Sequence, residues 1–259
     1  MIRGLYIAEG AMITQQARME ILGNNLANQQ TPGFKKDDGI QTSFGEWLLY
    51  ARNTTGLPQS PYPIGTMAHN VAMAESYTSM RNGSLDNTGR SLDFAINGNG
   101  LFQVQNEDGV LYTRNGHMFL NADGYLVDIE GKLVLGEDGP IQIVAPGMEA
   151  AVDLEMDIMV EPDGSIFVLG NLVGRFDLVA FDPELNYTKI GDNYFEPFEP
   201  DAELNAIVVN RYLEGANVDL AAEMVKMMEI RRNYEAAQKI MITYDGLLNK
   251  AANELGSSG

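Results

Sequence analysis

The chain has 259 residues, of which 45% are hydrophobic, so it is long and apolar enough to bury a substantial core. It contains no cysteine, and this excludes thiolate catalysis, disulfide bonds and cysteine-ligated metals. The net charge of −19 argues against nucleic-acid binding and against binding to anionic membranes, because both need an excess of Lys and Arg.

The acidic residues are unevenly distributed along the chain. Residues 37–214 carry 28 acidic and eight basic residues, whereas residues 1–36 have a net charge of +2 and residues 215–259 a net charge of −1. The two ends are therefore close to neutral and flank a strongly acidic middle.

Neither a secretory signal nor a membrane span is predicted. The N-terminal sequence MIRGLYIAEGAM has one arginine, a short apolar stretch interrupted by Glu9, and no small-residue cleavage site. No run of about 18 apolar residues occurs in the sequence, so direct membrane insertion is not expected.

A helix is predicted for residues 5–28. Its seam residues recur at alternating steps of three and four, which is the spacing of a coiled coil. These residues are Leu5, Ala8, Met12, Gln15, Met19, Leu22 and Leu26. Gln15 is the one polar member, of the kind that fixes helix register. The sequence Thr31-Pro32-Gly33 then predicts the end of the helix and a turn.

The middle of the chain is interpreted as a mixed connector (37–84), with a Pro-rich stretch at 58–63, and a β-rich domain (85–210). Turn glycines that follow Asp, Asn or Glu recur every seven or eight residues, which is typical of strands joined by short hairpins. These glycines are Gly109, Gly116, Gly124, Gly131 and Gly139. The apolar runs that predict strands include 92–96, 101–104, 126–129, 132–135 and 176–181. The regular spacing predicts a β-meander.

A second helix is predicted after Asn217 or Asp219, either of which can cap its start. Its seam residues are Leu220, Met224, Met227, Ile230, Tyr234, Ala237, Met241, Tyr244, Leu248 and Ala251. Because single helices are marginal in water, we expect the two terminal helices of an isolated chain to be disordered, loosely paired or dimerised through their seams.

The predicted fold class is therefore α+β, with N- and C-terminal coiled-coil-type helices that flank an antiparallel β-rich central domain. The predicted segments are 1–36, 37–84, 85–210 and 211–259.

No motif typical of an enzyme is complete. The sequence NGNGLFQ at 97–103 begins like a dinucleotide-binding motif but lacks the third glycine and precedes a strand. The calcium-loop pattern around Asn121 and Asp123 lacks its first ligand and its closing glutamate. The two histidines, His69 and His117, are too far apart in sequence to predict a metal pair or a catalytic triad. We therefore predict a non-enzymatic protein without a metal or a cofactor.

Three separated motifs resemble those of the flagellar rod, hook and hook-associated axial proteins. The first comprises GLYIA at 4–8, MITQQ at 12–16 and LGNNLANQQTPGFK at 22–35; the second comprises DFAINGNGLF at 93–102 and YTRNG at 112–116; the third comprises NVDLAAEM at 217–224 and RNYEA at 232–236. One moderate β-rich insert resembles the distal-rod type. Trp47-Leu48-Leu49 and KAANEL at 250–255 resemble rod homologues of Bacillus-like bacteria.

The resemblance implies a structural subunit of the flagellar rod that polymerises through its terminal helices. The implied partners are other rod subunits, further copies of this chain, the hook protein and the flagellar export apparatus, and the implied location is the basal body, reached without a cleaved signal peptide. The expected subunit-interface residues are Leu5, Met12, Met19, Leu22, Asn24, Asn25, Leu26, Asn28, Phe34, Leu220, Met224, Met227, Tyr234, Met241 and Leu248.

Three alternatives remain open from the sequence. The chain could be a hook or hook-associated axial protein. It could be a secreted carbohydrate-binding or hydrolytic β-protein with aromatic platforms such as Tyr194 and Phe195 and paired carboxylates. It could also be a soluble coiled-coil scaffold unrelated to flagella, although such a scaffold has no need of the asparagine-rich segment.

Overall fold

The computed structural model of the chain describes residues 2–51, 62–107, 109–144, 158–191, 193–200 and 202–257. It divides into two compact units. Unit 1 comprises Met1–Asn24, Asp37–Tyr77 and Leu220–Gly259, and unit 2 comprises Asn25–Lys36 and Thr78–Asp219. This division differs from the predicted segments, because the turn after the first helix belongs to unit 2 and most of the predicted connector belongs to unit 1.

Unit 1 contains the two helices, α1 (Ile2–Ala27) and α2 (Leu220–Ser257), and a two-stranded sheet of β1 (Asp37–Ala51) and β2 (Tyr62–Thr78). The segment 37–84, which contains β1 and β2, was predicted to be a mixed connector. That prediction is wrong, because strands pair through backbone hydrogen bonds, which side-chain composition reveals poorly. The Pro-rich stretch at 58–63 lies mostly outside the described residues. Neither helix has the apolar stretch that a membrane-spanning segment needs.

Helix α1 packs on the β1–β2 sheet within unit 1. A Cβ atom added at Gly39 in β1 would lie 3.1 Å from Cε of Met73 and 3.3 Å from Cδ1 of Ile21, so these two side chains cover the glycine. On the other helix, Nζ of Lys226 lies 3.9 Å from a carboxylate oxygen of Asp38. Both helices are thus in contact with β1.

Unit 2 contains sixteen strands among its described residues. They are β3 (Leu85–Asn87), β4 (Phe94–Gly98), β5 (Gly100–Asn106), β6 (Gly109–Thr113), β7 (Phe119–Leu120), β8 (Leu126–Val127), β9 (Leu133–Gly136), β10 (Gly139–Pro140), β11 (Ile158–Val160), β12 (Ser165–Val168), β13 (Asn171–Arg175), β14 (Leu178–Ala180), β15 (Lys189–Ile190), β16 (Tyr194–Phe195), β17 (Ala206–Asn210) and β18 (Tyr212–Glu214). Their pairings are antiparallel. The predicted fold class, two terminal helices and a central antiparallel β-rich domain, is confirmed.

The strands of unit 2 form more than a meander. The main sheet has the order β15-β16-β6-β5-β9-β8-β7, with β10 on β9 and β14 on β5; β11-β12-β13 form a second sheet, and β4-β17 and β3-β18 form two ribbons. Of the five predicted turn glycines, Gly109, Gly124, Gly131 and Gly139 lie at turns that join paired strands, but Gly116 does not. The turn spacing is a local signal, and it does not reveal that β5 pairs with β9 beyond its hairpin with β6.

Strand β5 is central because both of its faces are buried. Phe102 faces the larger core, where the Phe176 ring lies edge-on to it at a centroid distance of 5.1 Å and to Phe94 at 5.2 Å. Leu101 faces a smaller core that also contains Phe181. A strand buried on both faces needs a nearly continuous apolar run, and 101–104 supplies it.

Candidate subunit-assembly site

The two terminal helices contact each other in unit 1 at Gly4. A Cβ atom added there would lie 2.5 Å from the ring of Tyr244, so the ring packs directly on the backbone of α1. A groove of about 420 Å³ adjoins this contact. It is lined by Gly4, Ile7, Ala8, Ala11, Asn233, Ala236, Ala237, Ile240 and Tyr244. In this structure both helices are formed and paired.

The contact at Gly4 leads to a testable prediction. Gly4→Ala is expected to be less stable than Gly23→Ala by about 1–3 kcal/mol, because its methyl group overlaps the Tyr244 ring. Gly23→Ala is the matched control, since a Cβ atom there meets nothing within 4 Å. Alanine at that position is expected to stabilise α1 by about 0.5–1 kcal/mol. Denaturant unfolding followed by circular dichroism measures both changes, and equal stabilisation by the two variants would contradict the helix contact.

From Met227 onwards, the predicted seam of α2 is the covered face of the helix. Its members are Met227, Ile230, Tyr234, Ala237, Met241, Tyr244, Leu248 and Ala251, all of them buried or half-buried. Every other residue from 228 to 250 is exposed. The seam residues in this part of α2 therefore lie largely against the chain itself.

The beginning of α2 is different, because its apolar residues are exposed. Leu220, Met224 and Met228 are 43%, 51% and 54% exposed, and their spacing of four places them along one side of the helix. Further along α2, Ile240 and Leu247 are each about half exposed. Contiguous exposed apolar residues of this kind mark interaction surfaces.

The expected interface residues of the N-terminal segment fall into three groups. Leu22, Asn25 and Phe34 are buried by the chain itself, so they do not offer a direct contact to a neighbouring subunit in this structure. Asn24 is exposed. The half-buried residues are Leu5, Met12, Met19, Leu26 and Asn28. Large apolar residues that α1 does expose, such as Ile13, lie outside the predicted seam.

The turn after α1, which we call the joint (Asn25–Lys36), is folded into unit 2. Within it, the backbone N–H of Thr31 donates to the carbonyl of Asn28 at 3.1 Å. Gly33 has a φ of 72°, and its N–H donates to the carbonyl of Glu214 at 2.7 Å. A Cβ atom at Gly33 would lie 2.5 Å from the backbone N of Asn115. Glycine is therefore required there both by φ and by the close approach.

Asn217 binds the joint from the other end of unit 2. Its Oδ1 accepts a hydrogen bond from the backbone N–H of Lys36 at 2.8 Å, and its Nδ2 donates to the carbonyl of Ser79 at 2.7 Å. Helix α2 begins at Leu220, directly after Asp219. Of the two predicted caps, Asn217 has its side chain committed to the joint.

A buried ion cluster lies beneath the joint. Its members, Lys35, Glu214 and Arg114, have side chains that are 1%, 1% and 0% exposed. Lys35 Nζ lies 2.7 Å from Oε1 of Glu214 and also donates to the carbonyl of Arg81 at 2.8 Å. Oε1 of Glu214 accepts a further bond from the N–H of Gly83 at 2.8 Å, and its Oε2 pairs with Nε of Arg114. The carboxylate thus holds two cations that come from distant parts of the chain.

Arg114 also binds the backbone of the central strands. Its guanidinium donates to the carbonyls of Ile96 at 2.7 Å, Gly98 at 2.9 Å and Gly100, and to Oδ1 of Asn82 at 3.1 Å. A planar guanidinium with five donors suits such a site. Through Arg114 and Glu214, the joint is linked to the start of β5.

The ionisation of the cluster follows from its burial and its charges. Burial alone raises the pKa of Glu214, but the positive charges of Arg114 and Lys35 outweigh it and hold that pKa below the usual value. For Lys35, burial dominates over the attraction of Glu214 and lowers the pKa to about 8. Glu214 is therefore ionised at neutral pH, and Lys35 is mostly charged.

The members of this cluster were not predicted from the sequence. Lys35 and Arg114 lie within the motifs quoted above, but nothing in their local spacing indicates that the two side chains bind the same carboxylate. Glu214 gave no signal, because a single glutamate in a strand is more often solvated. Lys189 was also missed: its Nζ lies 4.4 Å from the centroid of the buried Phe34 ring and donates to the carbonyl of Lys35 at 2.5 Å.

The residues considered for other chemistry have structural roles. Tyr194 and Phe195, the suggested carbohydrate platforms, are 6% and 1% exposed, so that interpretation is wrong because buried rings cannot stack on a sugar. Oδ1 of Asn121 accepts bonds from the backbone N–H groups of Asp123 and Tyr125, which is a turn-stabilising arrangement. His117 Nδ1 lies 2.8 Å from the Asp93 carboxylate; the side chain of His69 lies outside those described.

Comparison with known families covers three stretches in chain order. Residues 5–35 match the family "Flagella basal body rod protein", residues 95–168 match "Flagellar hook protein FlgE/F/G D1 domain", and residues 209–255 match "Flagellar basal body rod FlgEFG protein C-terminal". These stretches contain most of α1 and of the joint, the centre of unit 2, and most of α2.

Curated relatives match over nearly their whole length. The flagellar basal-body rod protein FlgG of Buchnera aphidicola (subsp. Acyrthosiphon pisum) is 30% identical, over 96% of this chain and 98% of the relative. FlgG of Agrobacterium fabrum is 30% identical, over 98% and 100%, and the hook-basal body complex protein FlhO of Bacillus subtilis is 31% identical, over 99% of both chains. The chain belongs to the flagellar basal-body rod protein family.

As a member of this rod family, the chain is a structural component of the flagellar basal body, and its resemblance to the distal-rod type is consistent with the FlgG relatives. The joint and ion cluster described above lie in or next to the stretches that the family models cover. The family assignment also favours the rod over the unrelated coiled-coil scaffold considered from the sequence.

Proposed function

We propose that this chain is incorporated into the flagellar rod through the apolar side chains that α1 and α2 leave exposed. The observation that carries this proposal is the stripe of Leu220, Met224 and Met228, which stays 43–54% exposed although α2 is paired with α1. Three large apolar side chains along one side of a helix are costly to leave in water. Burial against helices of neighbouring subunits removes that cost, and it makes each subunit the template for the next.

The predicted interface residues divide into two roles under this proposal. Leu220 and Met224 contact neighbouring subunits directly. Asn25 and Phe34, which are buried by the chain itself, hold the joint within unit 2, and Leu22 is likewise buried and makes no direct contact with a neighbour. The half-buried seam residues, such as Met241, contribute to the contact with neighbouring subunits only through the part of their surface that is exposed in the monomer.

We also propose that the neighbours are further copies of this chain, other rod subunits of the distal type and the hook protein, and that the chain reaches the basal body through the flagellar export apparatus. The names of the relatives, which are rod and hook-basal body proteins, support the first part. The family resemblance supports the second. A chain without cysteine also cannot be trapped by disulfides before it folds.

The test uses two substitutions at exposed positions, Met224→Asp and Met228→Asp. Each is expected to change the stability of the monomer by no more than about 0.5 kcal/mol, because exposed positions tolerate substitution. Each is expected to remove the chain from purified hook–basal bodies and to abolish motility, because a carboxylate would be buried in the helix contact.

Gln238→Asp is the matched control, since it adds the same charge to the same helix at a position that is already polar and exposed. It is expected to leave incorporation normal. Immunoblotting of purified basal bodies provides the measurement. Normal amounts of the Met224→Asp and Met228→Asp chains in the basal bodies would overturn the proposal.

A further inference from the structure

The sheet β11-β12-β13 in unit 2 has apolar residues on both of its faces. One face belongs to the core, with Ile158, Ile166 and Val168 at most 8% exposed. The residues that alternate with them point the other way. There, Met159 pairs with Phe167 across one strand boundary and Phe167 pairs with Leu172 across the next. An outward face is normally polar in an antiparallel sheet, so this row requires another explanation.

The row is exposed and held in register. Met159 is 62% exposed and Leu172 is 64% exposed, while Phe167 between them is partly exposed. The register of β12 and β13 shifts between Ile166 and Phe167, which keeps Leu172 opposite Phe167. Such a bulge re-aims side chains locally. The result is a continuous apolar strip across three strands.

The turn beside this strip carries a strained apolar residue. Leu169 and Gly170 connect β12 to β13, and Val168 pairs with Asn171 across the turn. Leu169 has a φ of 51° and is 74% exposed, and Gly170 has a φ of 80°. Asn or Gly is the usual residue at the first position of such a turn, and a bulky residue there is a conformational outlier. Strain of this kind concentrates at functional positions.

We propose that Met159, Phe167, Leu169 and Leu172, the Leu169 patch, form the surface through which unit 2 packs against unit 2 of a second copy of this chain in the rod. This inference rests on the proposed incorporation into the rod, and it names a contact additional to the helices.

The distribution of charged residues in unit 2 indicates where two acidic copies can come into contact. The charged residues of this sheet and its turns lie at the opposite end, where Arg175 pairs with Asp163 and, at 3.3 Å, with Glu137. The patch itself is uncharged. Two copies that each carry 28 acidic and eight basic residues in the segment 37–214 would repel each other over most of this region. The Leu169 patch can be buried without burying a carboxylate.

The size of the patch indicates that the chain it contacts is already held beside it in the rod. Four side chains exposed to this degree present an area on the order of 400 Å², within the range of the largest apolar patches on monomers. A stable interface needs roughly 800 Å² from each partner. The patch is therefore too small to hold two free chains together. It is large enough to add a contact between two chains that the helices already hold together.

The absence of cysteine makes a direct test possible, because one introduced cysteine is the only thiol in this chain, and labelling is measured on this chain. Leu172→Cys is compared with Glu184→Cys, a matched control at an exposed polar position of unit 2. Each full-length variant is labelled with maleimide as a free chain and within purified basal bodies. The Leu172→Cys thiol is expected to react about tenfold more slowly in basal bodies, as for a surface that is free only about a tenth of the time. Glu184→Cys is expected to react at similar rates in both.

A benzophenone-maleimide attached to Leu172→Cys then identifies the occupant. Ultraviolet cross-linking in basal bodies is expected to join the probe to a unit 2 peptide of a second copy of this chain. Equal labelling in both states, or cross-links only to other proteins, would overturn this inference, whereas the proposed function would still be upheld by exclusion of the Met224→Asp chain from basal bodies. Absence of the wild-type chain from basal bodies would overturn both.

Leu169→Asn separates assembly from folding. Asparagine tolerates a positive φ, so the variant is expected to be at least as stable as the wild type. It removes the apolar side chain and is expected to reduce the protection of Leu172→Cys in basal bodies. Full protection in the double variant would exclude Leu169 from the contact.

Discussion

Replacing Glu214 by glutamine is expected to lower the free energy of unfolding of unit 2 by about 3–5 kcal/mol, the usual cost of breaking a buried ion pair from one side. The substitution keeps the shape of the side chain but leaves Arg114 charged and buried without its counter-ion, and it removes the carboxylate that favours the charged form of the buried Lys35. The N–H of Gly83 also loses a charged acceptor. Denaturant unfolding of the full chain at neutral pH measures the change.

Glu184→Gln is the control for this prediction, because its side chain is exposed and its removal is expected to change stability by no more than about 0.5 kcal/mol. The pH dependence gives a second check. The folded-state pKa of Glu214 lies below its ordinary value of 4.5, so its contribution is complete above that value and is lost as the pH falls through the folded-state pKa. The wild type and Glu214→Gln are therefore expected to converge in acid. An equally large difference in acid and at neutral pH would contradict the assigned role.

The helices were predictable because their signals are local. The steps of three and four residues identified the covered face of α2 from Met227 to Ala251 without knowledge of what covers it. The same pattern did not distinguish Leu220 and Met224, which are exposed, from Ile230, which is buried. Periodicity gives the side of a helix on which apolar residues lie, whereas burial also depends on where the other elements end.

The β-rich domain was predictable at its turns and not in its topology. Hairpins such as that at Asp123 and Gly124 depend on two or three adjacent residues, and their chemistry is visible in the sequence. The pairing of β5 with β9 depends on contacts between residues about 30 apart, such as Val104 with Val134. The regularly spaced turn residues in the sequence do not reveal such long-range pairings.

The sequence predicted the turn that forms the joint, but it did not predict which residues hold that turn in place. The three asparagines and Thr31-Pro32-Gly33 indicated a helix end followed by a turn. The residues that hold this turn, Arg114 and Glu214, are 79 and 179 positions from Lys35 in the sequence, and no local pattern links them. Buried ion pairs are specified by the tertiary fold, since a charge is tolerated inside only where its partner is already in place.

Gly33→Ala is expected to destabilise unit 2 by about 2–5 kcal/mol, because two costs add at this position. A side chain at a φ of 72° costs about 1–2 kcal/mol. A new methyl group 2.5 Å from the backbone N of Asn115 and 2.6 Å from the carbonyl carbon of Arg114 forces the backbone to move, at a further cost of about 1–3 kcal/mol. The hydrogen bond from Gly33 to Glu214 is lost if the joint moves away.

Gly89→Ala separates these two costs. Gly89 has nearly the same φ, 73°, but a Cβ atom there meets nothing within 4 Å, so its replacement is expected to cost only about 1–2 kcal/mol. Trypsin gives an independent readout under native conditions, because the side chain of Lys35 is only 1% exposed while the joint is in place. Cleavage after Lys35 is expected in Gly33→Ala but not in Gly89→Ala. Equal stability of the two variants, with Lys35 protected in both, would show that the close approach of the joint to Arg114 and Asn115 does not hold it in unit 2.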